Sequence, residues 1–309
     1  MKYRKEIIIG SRKSNLAQKQ TKILINKLQK VGIKNINTRL ITSEGDIVSK
    51  RIFKEQGGKG LFTKNIDQLL LKRFIDIGVH SAKDMPAFLN DNLRVGAYIK
   101  RENPRDVIVS RDNQVKSLRD LPLRCTVGSS SPRRTCYIKL YRPDIKVIPI
   151  RGNIETRIKM VKNKKIFATI LAAAGIKRIS CLEKDVFFSY LPLSFILPAP
   201  GQGAIAVVHR KNDIKIKKIC ELVDDKNTRI TVETEREIIK NINGDCFTPI
   251  GAYAKIFKDN LKIKARLYST DGKLFVEENL QRKISLHKGL GKVCAKSILK
   301  KTKFKFNKL

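Results

Sequence analysis

The sequence predicts an α/β protein made of two α/β lobes followed by a small α+β domain, and three observations carry that reading. Through the first hundred residues, short apolar runs alternate with helix-period segments, the pattern of a mainly parallel sheet. After ENPRD (102–106) the same alternation restarts. From about Thr228 it gives way to a helix and a series of strands joined by tight turns. The expected boundaries are 1–101 with 200–220 for the first lobe, 105–197 for the second, and 225–309 for the α+β domain.

In the first lobe a strand over 6–11 leads into a helix capped by Ser14, with Leu16, Ala17, Ile23, Leu24, Leu28 and Val31 on one face. A strand over 38–42, the glycine-rich GGKGLF, a helix carrying Phe62, Ile66, Leu69 and Leu70, and a strand ending IDIGVH complete a βαβαβ order. In the second lobe TVGSSS, KVIPI and FATILAAAG each read as a strand with its helix. Ser131-Pro132 gives a cap followed by an N1 proline, and Asn153 a cap alone. The last domain reads as a helix, the NGDC loop, strands over 251–258 and 261–270 joined through Asp259-Asn260, a strand near 274–278, and a final helix.

With 309 residues, 41% hydrophobic content and ten prolines, the chain has the makings of a globular core. MKYRKEIIIG holds only three consecutive isoleucines and FFSYLPLSFILPAP is broken by three prolines, so neither an export signal nor a membrane span is expected, and the protein is read as cytoplasmic. Six cysteines show no C-x-x-C pair and only three histidines accompany them, which points to no zinc site and no disulfide framework. The net charge of +38 invites a nucleic-acid reading, but 44 lysines and 22 arginines are scattered, tryptophan is absent and aromatics are 6%, so no nucleic-acid partner is expected.

Arg12 in GSRKS, Arg133 and Arg134 in GSSSPRR, Arg151 in IRGN, Arg157 one turn further and Arg178 in AAAGIKR recur where strands pass into helices. Unpaired backbone N–H groups and the helix dipole attract anions there, and guanidinium groups bind carboxylates two bonds at a time. One such arginine would be ordinary surface; the repetition implies a ligand with several carboxylates or phosphates in a cleft between the lobes. In HSAKDMP, Ser81, Lys83 and Asp84 follow a buried strand, at the end where ligands gather in open α/β sheets. A carboxylate among cations stays ionised and can stabilise a developing positive charge, whereas His80 reads as a packed structural residue. Cys246, in the loop INGDCFTPIG, is a candidate reactive thiol, with Asp245 beside it opposing thiolate formation. A non-catalytic binding module for a polycarboxylate or other anion would account for lobes and arginines, but would leave Asp84 and Cys246 without a role.

Taken in order, GSRKSNLAQ, GGKGLFTK, DIGVHSAKDMP, RENPRD, VGSSSPRR, IRGNIETR, ILAAAGIKR, LPAPGQGA and NGDCFTPIGAYA resemble the porphobilinogen deaminase (hydroxymethylbilane synthase) family over residues 7 to about 255. The resemblance implies two lobes like periplasmic binding proteins and a third domain carrying a dipyrromethane cofactor in thioether linkage to Cys246. It implies a monomeric transferase of haem and porphyrin biosynthesis that condenses four porphobilinogen molecules head to tail, releasing ammonia, to give the linear tetrapyrrole hydroxymethylbilane. Asp84 falls on the family's catalytic carboxylate, which supports loss of ammonia to an azafulvene cation. Arg12, Lys83, Arg133, Arg134, Arg151, Arg157 and Arg178 fall on positions that bind acetate and propionate groups, with Ser14, Ser81, Ser129, Ser131 and Gln202 as hydrogen-bonding neighbours. Residues 48–58 resemble the family's lid, with Lys59 and Phe62 assigned to lid and cofactor packing. The departures are Ala82 for methionine, Pro132 for leucine, Ser129 for threonine and Asp245 for glycine or serine.

Overall fold

A computed structural model describes residues 6–42, 63–180, 184–245 and 247–306. The chain divides into two compact units, Met1–Glu102 with Ala204–Val232, and Asn103–Gly203 with Glu233–Leu309.

The first unit is organised by a five-stranded sheet of β1 (Ile7–Arg12), β2 (Ile36–Ile41), β3 (Ile77–Ser81), β4 (Leu93–Ile99) and β10 (Ile205–Arg210), in the order β2-β1-β3-β10-β4. β1 runs parallel to β2 and β3, while β10 is antiparallel to both β3 and β4. Helices α1 (Asn15–Lys30) and α6 (Ile214–Glu221) supply Leu24, Leu28, Ile216 and Ile219 to an apolar layer with Ile9, Ile77, Val79 and Val207. A second layer joins Ile66 and Leu70 of α2 (Lys64–Leu71) to Tyr98, Ala206 and Val208. Sheet residues thus enter both layers, which is why IAVVHR in β10 reads as an uninterrupted apolar run rather than an alternating one.

Ser14 caps α1, its hydroxyl accepting from Ala17 N at 3.4 Å. Val31, expected on the buried face of that helix, is instead its C-cap and 41% exposed. Gly32, at φ +89°, turns the chain in a left-handed conformation open to glycine, and the apolar stripe therefore ends at Leu28.

In the second unit β5 (Asp106–Ser110), β6 (Thr126–Gly128), β7 (Lys146–Ile148), β8 (Ala168–Ala172) and β9 (Phe187–Tyr190) form a sheet in the order β7-β6-β8-β5-β9. β6 is parallel to β7 and β8, and β5 is antiparallel to β8 and β9. Helix α3 (Pro132–Tyr141) packs Tyr137 and Ile138 against Ile108, Val127 and Ile170, whereas α4 (Ile154–Lys162) and α5 (Ala173–Ile179) pack Ile158, Val161 and Ile176 against Val107, Val109 and Leu171. In both five-stranded sheets four strands therefore run in one direction and a single strand, β10 or β5, is reversed, which is the mainly parallel arrangement expected with one antiparallel insertion. In each, the strand antiparallel to its neighbours is the one the chain forms as it enters the unit: β5 just past Glu102, β10 just past Gly203.

α7 (Lys226–Asn241) leads towards an antiparallel meander of β11 (Ile250–Phe257), β12 (Asn260–Tyr268) and β13 (Phe275–Lys283), with α8 (Leu290–Lys301) last. Cys294, Ala295 and Ile298 of α8 are fully buried, as are Leu261, Ile263 and Ala265 at alternate positions of β12. Strand β12 stops at Tyr268 because the Ser269 hydroxyl donates to Asp271 at 2.5 Å and ties a turn. Among the described residues no helix is long and apolar enough to cross a membrane.

Candidate active site

In the first unit, the parallel pairing of Ile9 with Ile77 and Gly10 with Gly78 brings the carboxyl ends of β1 and β3 side by side. β1 delivers Arg12 and then Ser14; β3 delivers Ser81 and then a single 3-10 turn, Ala82–Asp84. That turn is pinned by Ala82, fully buried, whose N–H donates to Ala204 O at 3.1 Å. Pinning one residue directs the next two: Lys83 and Asp84 are half-buried and not absorbed into the core. Arg12, Ser14, Ser81 and Asp84 line one cavity of about 50 Å³ that opens to solvent.

Gln20 and Thr63 are further polar residues of that lining, and neither was singled out by the sequence. Gln20 is 3% exposed, its amide donates to Ser81 Oγ at 2.9 Å, and the Ser81 hydroxyl lies 3.3 Å from Gln20 Oε1. A glutamine three positions past Ala17, on the buried face of α1, is the signal that would have found it. His80 is buried with Nε2 3.5 Å from Asp67 Oδ1, as befits a packed residue.

The second unit places its predicted residues differently. Arg133 and Arg134 occupy the first turn of α3 and are 3% and 6% exposed. Both guanidinium groups reach Asp106, the first residue of β5: Arg133 Nη1 lies 2.7 Å from Oδ2 and Arg134 Nη2 2.7 Å from Oδ1. Gln202 joins them, its amide donating to Asp106 Oδ1 at 2.9 Å and to Pro104 O at 2.7 Å. Burial by itself would raise the Asp106 pKa, but the two adjacent guanidinium groups outweigh it and hold the carboxyl well below the usual carboxylate range. Asp106, embedded in RENPRD, carried no mark of this role in the sequence. Arg133 also donates to Leu197 O at 2.6 Å, and its buried Nε has no acceptor among the described residues.

Ser129 is buried and Ser131 is the α3 N-cap; Ser129 Oγ accepts from Ser131 N at 3.3 Å, and the Ser131 side chain makes no cap bond of its own. Asn153 does cap α4, accepting from Thr156 N at 2.9 Å. Arg151 is exposed in the preceding loop, Arg157 donates from Nε to Gly152 O at 3.0 Å, and Arg178 donates to Gly203 O at 2.6 Å. Gly152, at φ +98°, lets that loop double back on α4, where a Cβ would meet Thr156 at 2.7 Å.

Lys59, Phe62 and Cys246 lie outside the described residues. Asp245 organises the turn beside position 246: its Oδ1 accepts from Phe247 N at 2.8 Å and Thr248 N at 3.1 Å, and its own N–H donates to Thr248 Oγ1 at 3.0 Å. Among the described cysteines, burial pushes the thiols of Cys136, Cys220 and Cys294 up to about 11, 12 and 12, so they stay protonated and weakly nucleophilic at neutral pH.

Residues 7–218 match the family described as "Porphobilinogen deaminase, dipyromethane cofactor binding domain", and residues 229–300 match "Porphobilinogen deaminase, C-terminal domain". A porphobilinogen deaminase from Clostridioides difficile (strain 630) is 39% identical over 295 residues, covering 95% of this chain and 97% of that protein. One from Geobacillus kaustophilus (strain HTA426) is 40% identical over 275 residues, covering 89% and 88%. Among solved structures, the periplasmic aliphatic sulphonate binding protein of Escherichia coli covers 77% of this chain and 70% of its own at 12% identity and a TM-score of 0.43, too distant to inform fold or chemistry. With both domain matches and two relatives near 40% identity along nearly the whole chain, this protein belongs to the porphobilinogen deaminase family, transferases of porphyrin biosynthesis that work with a dipyrromethane cofactor.

Proposed function

We propose that the chain condenses four porphobilinogen molecules head to tail into hydroxymethylbilane, with Asp84 as its catalytic carboxylate and a dipyrromethane carried in thioether linkage on Cys246. The observation that carries this reading is the cavity shared by Asp84, Arg12 and the hydroxyls of Ser14 and Ser81. Breaking the aminomethyl C–N bond of porphobilinogen releases ammonia and leaves a pyrrole-stabilised cation. A fixed carboxylate lowers the energy of that charge as it develops, and it does so most where water is scarce. Ser81, held by Gln20, and Arg12 fix the substrate's own carboxylates, so that ring and carboxylate meet in register.

The donor set fits a dipyrromethane, which bears several carboxylates. Arg133 keeps a buried Nε with no acceptor among the described residues, and Arg134, Ser129 and Ser131 lie within the same turn of chain. When bound, that group supplies the terminal pyrrole carbon at which the product grows. Arg133, Arg134, Arg151, Arg157, Arg178 and Lys83 are assigned to acetate and propionate groups, Gln202 to their support, and Lys59 and Phe62 to lid and packing. Asp245 ties the turn next to position 246 through Phe247 and Thr248, and Cys246 is assigned to the thioether linkage. The three-domain division, with residues 225–309 as the cofactor-carrying domain, and a cytoplasmic monomer that binds no nucleic acid, complete the proposal. Gel filtration with static light scattering tests the monomer.

Intact-protein mass spectrometry separates this enzyme from a non-catalytic anion-binding module. The enzyme carries an adduct of two linked pyrroles, absent from Cys246→Ser because an alkoxide forms far less readily than a thiolate. A bare wild-type chain, made in cells supplied with porphobilinogen, refutes the attachment.

A further inference from the structure

We infer that the face of the C-terminal sheet turned away from α8 is a second anion site, for a small organic dianion that carries carboxylate or phosphate groups on a compact body. The sequence alternation creates it. In the antiparallel register Tyr253, Lys264 and Asn279 stand in one cross-strand row and Lys255, Lys262 and Gln281 in the next, all on one face. The opposite face holds Leu261, Ile263 and Ala265, which are fully buried. The chain at Leu193, Ser194 and Leu197 passes over the lysine-bearing face and leaves an open cavity of about 440 Å³, within the range of small-molecule sites and roughly nine times the roughly 50 Å³ cavity beside Asp84.

Charge distinguishes this cavity from an ordinary solvated strand. Three ammonium groups line it, with one carboxylate close by: Glu277 lies 2.8 Å from Lys264 Nζ and is shared with Arg266. Glu278, the next residue, points the other way and pairs with Lys301 of α8. Lys255 and Lys262 are directly opposite each other across β11 and β12, and neither has a carboxylate partner among the described residues. Like charges in that relation destabilise a sheet, and the 5.4 Å approach of Lys262 to the Phe257 ring offsets this only in part. A dianion between the two ammonium groups removes the repulsion, while the Asn279 and Gln281 amides at the rim add hydrogen bonds and Leu193 and Leu197 meet the ligand body. All these residues lie within the second unit, and the site does not depend on the catalytic assignment of Asp84.

The test is lysine-resolved protection in the intact wild-type protein, in which acetylation by an activated ester is followed residue by residue by mass spectrometry. The probes are phenyl phosphate and pyrrole-3,4-dicarboxylate, both organic dianions at mildly alkaline pH and neither of which consumes the reagent through an amine. At millimolar probe and constant ionic strength, labelling of Lys255 and Lys262 slows at least fivefold while Lys300, exposed on α8, is unchanged. Whichever probe protects at lower concentration identifies the source as phosphate or carboxylate. Equal slowing at all three lysines reports ionic screening, and no slowing with either probe reports an empty face; each overturns the site. In calorimetry, Lys255→Gln/Lys262→Gln loses at least tenfold in affinity for the protecting probe relative to Lys300→Gln/Lys303→Gln, which removes the same charge elsewhere. Equal affinity of the two double variants also overturns the proposal.

Discussion

The two five-stranded sheets share a strand order but use their aspartates in opposite ways. In the first, Asp84 sits past the end of β3 on a turn anchored by its neighbour Ala82, half-exposed beside hydroxyls and Arg12. In the second, Asp106 opens β5, is fully buried, and is consumed by Arg133, Arg134 and Gln202 of the same unit. One carboxylate is left available to a ligand; the other holds cations in place. A lone buried guanidinium would be too costly to desolvate, so two of them in α3 require a protein carboxylate before any ligand arrives. With one anion between two cations, the cluster keeps a net positive charge, which suits it to bind a further carboxylate.

The harshest way to break this contrast is to remove Asp106. Asp106→Ala leaves two buried guanidinium groups uncompensated and should cost about 3 to 5 kcal/mol in urea unfolding. The loss should exceed that of Asp84→Ala several-fold, and equal losses would erase the distinction between the two carboxylates. The sign with pH follows from the same cluster. The Asp106 carboxyl is held below its unfolded value of about 3.9, so its contribution is fully present above that pH and fades as pH falls through the lower folded value. The wild type should therefore lose stability below about pH 4 more steeply than Asp106→Asn, as followed by thermal melts over a pH series.

Asp84 should show the reverse profile, with little effect on stability and a large one on rate. Asp84→Asn is expected to slow single-turnover ammonia release about 10² to 10³-fold, and Asp84→Glu less, because glutamate keeps the charge and misplaces it by one methylene. Both variants are first shown by mass to carry the two-pyrrole adduct. Ammonia release by Asp84→Asn at the wild-type rate would remove the carboxylate from the chemistry.

Gly152→Ala sharpens the comparison within the second unit. A side chain at φ +98° and within 2.7 Å of Thr156 should cost about 1 kcal/mol and displace Arg151, raising KM for porphobilinogen more than it lowers kcat. An unchanged KM would make that loop ordinary surface. Lys300→Gln marks the floor: an exposed lysine in the last turn of α8 should shift stability by under about 0.5 kcal/mol and leave turnover alone.

Much of the site was legible in the chain because it is local. Arg12 and Ser14, or Ser81 and Asp84, lie within three residues of one another at strand ends, and a βα pattern suffices to place them together. The caps at Ser14 and Asn153 were readable for the same reason, since a cap is a bond across three residues. The turns that flank position 246 were legible from Asn243-Gly244 and Pro249. What escaped was long-range: Gln20 meets Ser81 across 61 residues, and Gln202 meets Asp106 across 96.

The sequence by itself determined the α/β class, the recurrence of arginines in successive βα units, and the family, because periodicity and short motifs are properties of neighbouring residues; that Arg178 falls in the last turn of α5 was left to the structure. Tertiary structure alone decided that β10 and β5 run antiparallel within their sheets, since hydrogen-bond pairing between distant strands leaves no local trace. It also decided that Arg133 and Arg134 are buried against Asp106 while Lys255 and Lys262 are left facing each other. Charge is written in the sequence, but the partner that neutralises it, or its absence, is a matter of which segments the fold brings within about 4 Å.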